Sequence, residues 1–186
     1  FACPGVGIES AGMIAGGMSS STPATWQLTQ EYNGSVWATS PGSLNTGRTA
    51  GGGAGTQTAA IANAGDIGPT YTLSSEEYDG STWTTMQNSF YNWYGVAAAG
   101  TQTAALFYCQ DNVSPFGAQA QGWDGSAWST SAAFNTARNQ MGGAGSTAAA
   151  IGFAGNVMPG STVTSNATEL WTGQTTTANI ETLTTS

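Results

Sequence analysis

The side chains that could do chemistry in this 186-residue chain are few: two Arg, ten acids, and neither His nor Lys. Without His or Lys the commonest general base, Schiff-base chemistry and most metal ligation are lost. Carboxylates remain, with Glu76 and Glu77 adjacent in sequence. Neighbouring side chains on a strand point to opposite faces, so this pair does not make a hydrolytic dyad. Such a dyad would need acids from two separate segments. Glu31, Glu77 and Glu169 recur near an aromatic residue and are expected to accept hydrogen bonds from backbone or Arg. Neither Asp66 nor Asp111 with Asn112 has the spaced acidic ligands of an EF-hand loop. No enzyme, cofactor or metal site is expected from this set.

Other residues suit recognition better than catalysis. Ser89-Phe90-Tyr91-Asn92-Trp93-Tyr94 is the densest aromatic run. Tyr91, Trp93 and Tyr94 either fill a gap in the core or offer flat apolar faces with polar edges, suited to a sugar ring or a protein partner. Cys3 and Cys109 are too few for a disulfide framework. Asn33, Asn112 and Asn166 each open an acceptor tripeptide for N-glycosylation, and Asn33 also lies in an Asn-Gly turn.

The elements that position these residues are set by an internal repeat. Glu76-Glu77-Tyr78-Asp79-Gly80-Ser81-Thr82-Trp83 returns as Glu31-Tyr32-Asn33-Gly34-Ser35-Val36-Trp37, as Gly122-Trp123-Asp124-Gly125-Ser126-Ala127-Trp128, and in worn form as Glu169-Leu170-Trp171-Thr172-Gly173. The anchors Tyr32, Tyr78, Trp123 and Trp171 are separated by 46, 45 and 48 residues. Asn-Gly or Asp-Gly between short runs of β-formers is a strong hairpin signal, because the tight turn needs positive φ. A second phrase keeps the same period: Gly55-Thr56-Gln57-Thr58-Ala59-Ala60, Gly100-Thr101-Gln102-Thr103-Ala104-Ala105 and Gly145-Ser146-Thr147-Ala148-Ala149-Ala150, with Gly7-Ile8-Glu9-Ser10-Ala11-Gly12 as the first copy. This is a second hairpin.

Four short strands per unit of this length predict a β-propeller blade. The expected fold is all-β, a four-bladed β-propeller in one domain spanning 1–186, with blades over about 1–42, 43–88, 89–133 and 134–186. Four is the smallest usual number of blades, and the Gly- and Ala-rich first strands suit a narrow axis. A closed ring is expected, with an arc completed by a second copy or by further blades as the alternative. Turns between strands one and two and between three and four share one uniform face. The other connections vary in every repeat and share the second face, the candidate contact surface.

The layout resembles kelch-like repeats, with a Gly-rich inner strand, an apolar second strand, the aromatic-Asp-Gly…Trp hairpin, and Arg48 and Arg138 before two of the inner strands. The second strand of that pattern ends in a Gly pair. Here only Gly16-Gly17 does, against Ala64-Gly65, Cys109-Gln110 and Ala154-Gly155. Trp93 stands where Arg would recur. The strand directions implied by this resemblance put Cys3 and Cys109 on one face of the disc, which makes them a candidate disulfide. The repeats are also similar to kelch-like proteins of tailed phages and microbial metagenomes. That resemblance implies tail-fibre or extracellular surface roles.

Charge narrows the partners. A net charge of −8 with two basic residues cannot neutralise a run of phosphates, so no nucleic acid is expected. No stretch approaches the roughly 20 apolar residues of a membrane span. With only 6% charged residues, solubility rests on Ser, Thr, Asn, Gln and Gly. The expectation is a non-enzymatic structural or adhesive β-propeller on an extracellular or virion surface, self-associating into a homo-oligomer or fibre. Its alternative is a carbohydrate-binding module contacting a surface glycan or host receptor through the aromatics of the irregular face.

Overall fold

Each copy of the repeat alternates short β-forming runs with residues that turn the chain, so each becomes a meander of its own. A computed structural model describes residues 3–18, 27–68, 70–110, 118–157, 164–173 and 180–183, with the backbone alone at 109–110 and 180–183. The first sheet holds β1 (Gly5–Ile8), β2 (Ala11–Ala15), β3 (Thr29–Tyr32) and β4 (Trp37–Thr39). The second holds β5 (Gly52–Thr56), β6 (Ala59–Asn63), β7 (Ser75–Tyr78) and β8 (Trp83–Thr85). The third holds β9 (Ala97–Thr101), β10 (Ala104–Gln110), β11 (Ala118–Trp123) and β12 (Trp128–Ser131). After a short β13 (Arg138–Asn139), the fourth holds β14 (Gly142–Gly145), β15 (Ala150–Phe153), β17 (Thr168–Trp171) and β18 (Ile180–Leu183). Between β15 and β17, β16 (Asn156–Val157) pairs with β13 outside that sheet. All four sheets are antiparallel and ordered as the chain runs, and they are arranged as a four-bladed β-propeller.

The hairpin phrase works as its residues require. The Asp79 Oδ1 accepts the N–H groups of Ser81 at 2.9 Å and Thr82 at 2.8 Å. Asp124 does the same for Ser126 and Ala127, and Asn33 for Ser35 and Val36. The following Gly34, Gly80 and Gly125 take φ of 91°, 95° and 93°, a region an L side chain enters only with strain. Across each turn the two aromatic anchors pair directly, Tyr32 with Trp37, Tyr78 with Trp83 and Trp123 with Trp128. Their ring centroids lie 5.0 to 5.3 Å apart.

Burial follows from how one blade leans on the next. Each blade has a leading side, facing the preceding blade, and a trailing side, facing the following one. Met13 and Ala15 on the trailing side of the first blade pack with Ala60, Ala62, Tyr78 and Trp83 on the leading side of the second. The second and third blades meet through Ala54 and Ile61 against Phe107, Trp123 and Trp128. The third and fourth meet through Ala99, Leu106 and Tyr108 against Ala150 and Trp171. Amide side chains of the Gly-Thr-Gln-Thr phrase bridge neighbours: Gln57 Nε2 donates to the carbonyls of Gly12 (3.0 Å) and Tyr32 (2.8 Å), and Gln102 Nε2 to those of Ala60 (3.3 Å) and Tyr78 (2.7 Å).

Among the described strands, the expected ring closure is not made between the first and fourth blades. β1 packs on β5, β5 on β9 and β9 on β14, while no comparable contact joins the described strands of the fourth blade to those of the first. Exposure agrees: Trp37 is 51% exposed where its counterparts Trp83 and Trp128 are each 6%. Phe153, on the trailing side of the fourth blade, is 42% exposed, whereas Tyr108 at the same place in the third is fully buried. The inner-strand glycines agree as well. A Cβ on Gly53 would crowd Pro4 and Val6 of the preceding blade, and one on Gly143 would overlap the Tyr108 hydroxyl. One on Gly5 would meet only its own blade, at Ile14 and Met13. The small inner residues thus serve close approach between neighbouring blades, and three of the four junctions use it. No helix among the described residues is long and apolar enough to cross a membrane.

Candidate functional site

The variable face is assembled by the segments that enter each blade, and two buried ion pairs fix them. Arg48 Nη2 lies 2.5 Å from Glu76 Oε1, with neither side chain exposed. The same guanidinium donates through Nη1 to the carbonyls of Ala64 (3.0 Å) and Ser74 (2.5 Å), which flank the connection from β6 to β7. Glu76 accepts in addition from the N–H groups of Asn45 (2.6 Å) and Thr46 (3.0 Å). One Arg and one Glu therefore tie together the entering segment, the second strand and the third. Burial pulls the Arg48 guanidinium below its ordinary pKa, and the Glu76 carboxylate pulls it back.

The fourth blade repeats the device. Arg138 reaches Glu169 at 2.7 Å and the carbonyls of Ala154 and Ala167 at 2.7 Å each, while Glu169 accepts from Asn135 N–H at 2.6 Å. In the third blade Trp93 occupies the Arg position and Gln121 the Glu position, and Gln121 Oε1 accepts from Phe90 N–H at 3.0 Å. The structural acids are thus Glu76 and Glu169, two residues before the hairpin aromatic. Glu31 instead accepts from the Tyr78 hydroxyl of the next blade at 2.7 Å, and among the described residues Glu77 takes no part in an ion pair. Grouping Glu31, Glu77 and Glu169 by nearness to the aromatic missed a one-residue register. Alternation of strand faces turns that slip into a different environment.

Of the three second strands that do not end in Gly-Gly, two keep the backbone of that pair, while Cys109-Gln110 continues β10 as strand. Gly16 and Gly17 have φ of 77° and 93°, and Ala64-Gly65 and Ala154-Gly155 take 58° and 103°, and 57° and 92°. The second member donates to the entering segment of the next blade, Gly17 N–H to Arg48 O at 2.9 Å and Gly65 N–H to Trp93 O at 3.0 Å. Close to the axis, Ala50, Gly95 and Gln140 also share positive φ, at 56°, 71° and 54°. There Gly95 N–H donates to Ala50 O at 2.8 Å and Gln140 N–H to Gly95 O at 3.0 Å, a relay of backbone bonds running from blade to blade.

This relay rims a pocket of about 540 Å³ at the mouth of the axis, lined by the inner strands together with Cys3, Tyr94, Gln140 and Met141. Among the described residues no charged side chain lines it. Asn156 Nδ2 donates to Gln140 Oε1 at 3.0 Å, which leaves the Gln140 amide nitrogen as its donor. Burial pushes the Cys3 thiol above its ordinary pKa, so it stays protonated near neutrality. The lining offers neutral donors, carbonyls and one phenol, a set that suits an uncharged polar molecule.

The aromatic run divides between core and surface. Trp93 is fully buried between the second and third blades, with Tyr91 stacked on it at 4.9 Å and 11° between planes. It is therefore removed from the set of surface contacts. Its neighbour Tyr94 turns the other way, to the axial pocket, and its ring lies 5.8 Å from that of Tyr71, which is 38% exposed. Sequence reasoning missed Tyr71 and Gln140, because only the paired folding of two connections brings them there.

Cys3 carries a free thiol beside Gly17, and its candidate disulfide partner, the Cys109 side chain, lies outside the described residues. Asn33 and Asn166 are exposed, while Asn112 lies outside the described residues. Among the described residues no group of three or more His, Cys, Asp or Glu gathers to hold a metal. No family model and no curated protein matches this chain.

Proposed function

We propose that this protein is a non-enzymatic structural or adhesive β-propeller of the kelch-like kind, displayed on a virion fibre or an extracellular appendage. The observation that carries this reading is where the acids and arginines go. Arg48 with Glu76, and Arg138 with Glu169, lock entering segments into blades. Asp79 and Asp124 cap turns, Asp66 caps a loop at Gly68, and Glu31 holds Tyr78. These charges build a rigid scaffold rather than a reaction centre, and the axial pocket on the loop face they fix is lined by neutral groups. Such a face suits contact with a surface more than turnover. A polysaccharide hydrolysis activity abolished by Glu77→Gln would overturn this reading.

The second reading, a carbohydrate-binding module, is favoured by the uncharged axial pocket beside Tyr94 and Tyr71. Its test is binding of the protein to a panel of neutral glycans, with Tyr94→Ala and Gln140→Ala as controls. Saturable binding lost in both variants supports it, and binding indifferent to both contradicts it.

A further inference from the structure

Three junctions between blades are built to one plan, and among the described residues the fourth is left open with both its halves present. The leading side of the first blade shows Ile14, Tyr32 and Trp37, at the positions that Ala62, Tyr78 and Trp83 hold in the second blade and Phe107, Trp123 and Trp128 in the third. In the second and third blades these positions are all buried. In the first, Ile14 and Tyr32 are half-buried and Trp37 is 51% exposed. The trailing side of the fourth blade shows Ala144, Ile151 and Phe153, where the third has Ala99, Leu106 and Tyr108 in its core cluster. Ala144 is exposed, Ile151 half-buried and Phe153 42% exposed.

We propose that these two sides dock on each other between copies of this chain, the fourth blade of one molecule against the first blade of the next. The molecule itself says what covers such a face, since each covered leading side lies against a trailing side of the same repeat. Each copy carries one open side of each kind, so a second copy supplies both complements. None of the six residues is charged, and aromatic residues of this sort are enriched where proteins bind one another. The contact is heterologous, so it either closes a ring of copies or extends into a filament. Docking through the blade edges is independent of what the loop face binds.

The test is sedimentation of the 186-residue protein over a concentration series, with Trp37→Glu and Phe153→Glu as variants. Both positions are partly exposed, so folding survives, which circular dichroism checks. Wild type is expected to associate reversibly, and each variant alone about tenfold or more weakly, as for loss of an aromatic anchor at an interface. An equimolar mixture of the two variants restores one intact junction and is expected to form dimers that go no further. A wild type that stays monomeric throughout overturns the proposal. So does association of either variant at wild-type strength, or failure of the mixture to recover dimers.

Discussion

Glu76 and Gln121 occupy the same position in adjacent blades, and each accepts a hydrogen bond from the segment entering its blade, Glu76 from Asn45 at 2.6 Å and Gln121 from Phe90 at 3.0 Å. The acceptor role is constant, while the charge is matched to the partner. Glu76 faces Arg48 and Gln121 accompanies Trp93. Gln30 and Glu169 at the same place in the first and fourth blades continue the alternation.

Glu76→Gln keeps the acceptor but leaves the Arg48 charge buried without its counterion. It should cost about 3 to 5 kcal/mol in denaturant unfolding, the usual loss when one partner of a buried pair is removed. Adding Arg48→Trp imitates the third blade and should recover part of that loss. A single variant as mild as a surface substitution would show that the pair does not hold the blade.

The bridging amides make a second prediction. Gln102→Leu deprives the carbonyls of Ala60 and Tyr78 of a donor and should destabilise by about 1 to 3 kcal/mol. The fourth blade has Thr147 at this place, too short to bridge. Thr147→Gln should therefore stabilise by roughly 0.5 to 1.5 kcal/mol, the net value of an added hydrogen bond. Thermal unfolding of the two variants reads both signs.

Ala154 holds a φ of 57° and is exposed, so Ala154→Gly relieves left-handed strain without removing core packing. A gain of about 0.5 to 1 kcal/mol is expected, less than the roughly 1 to 2 kcal/mol strain because Gly loses more chain entropy. Ala64→Gly at φ 58° should gain less, because the Ala64 methyl is buried against the Trp93 cluster. Equilibrium unfolding of both variants checks the order.

Acid should open the hairpin tips within a defined window. Backbone N–H groups of Thr82 and Ser81 hold the Asp79 carboxyl down from an ordinary 3.8 to about 2, and the same kind of bonding lowers Asp124. A folded pKa below the unfolded one means that the contribution is complete above the ordinary value and lost as pH falls towards the folded one. The Asp79 contribution should vanish between about pH 3.8 and 2. Carboxyl chemical shifts against pH follow it directly, and Asp79→Asn, which keeps the turn as Asn33 does, should flatten the dependence of that tip.

Much of this molecule was legible because its strongest signals are local. Asp79-Gly80 and its copies announce hairpins, and their period gives the blade, since positive φ after Asn or Asp is decided within a few residues. The bridging role of Gln57 and Gln102 was visible as repetition but not as contact, because the acceptors lie a whole blade away. The split of Glu76 from Glu77 depends on strand register. Trp93 and Tyr94, adjacent in sequence, go to core and pocket, which composition cannot separate. The open junction was the least legible feature: it depends on whether the ends of the arc meet, a sum over every blade-to-blade rotation that no single motif encodes.

Oxidative surface labelling of the dilute, monomeric protein, read residue by residue by mass spectrometry, tests the arrangement most directly. Strong labelling of Trp37 and Phe153 is expected, with protection of Trp83, Trp128 and Tyr108. Trp37 protected to the same degree as Trp83 in the monomer would mean that the ring is closed, and would contradict an open junction between the first and fourth blades.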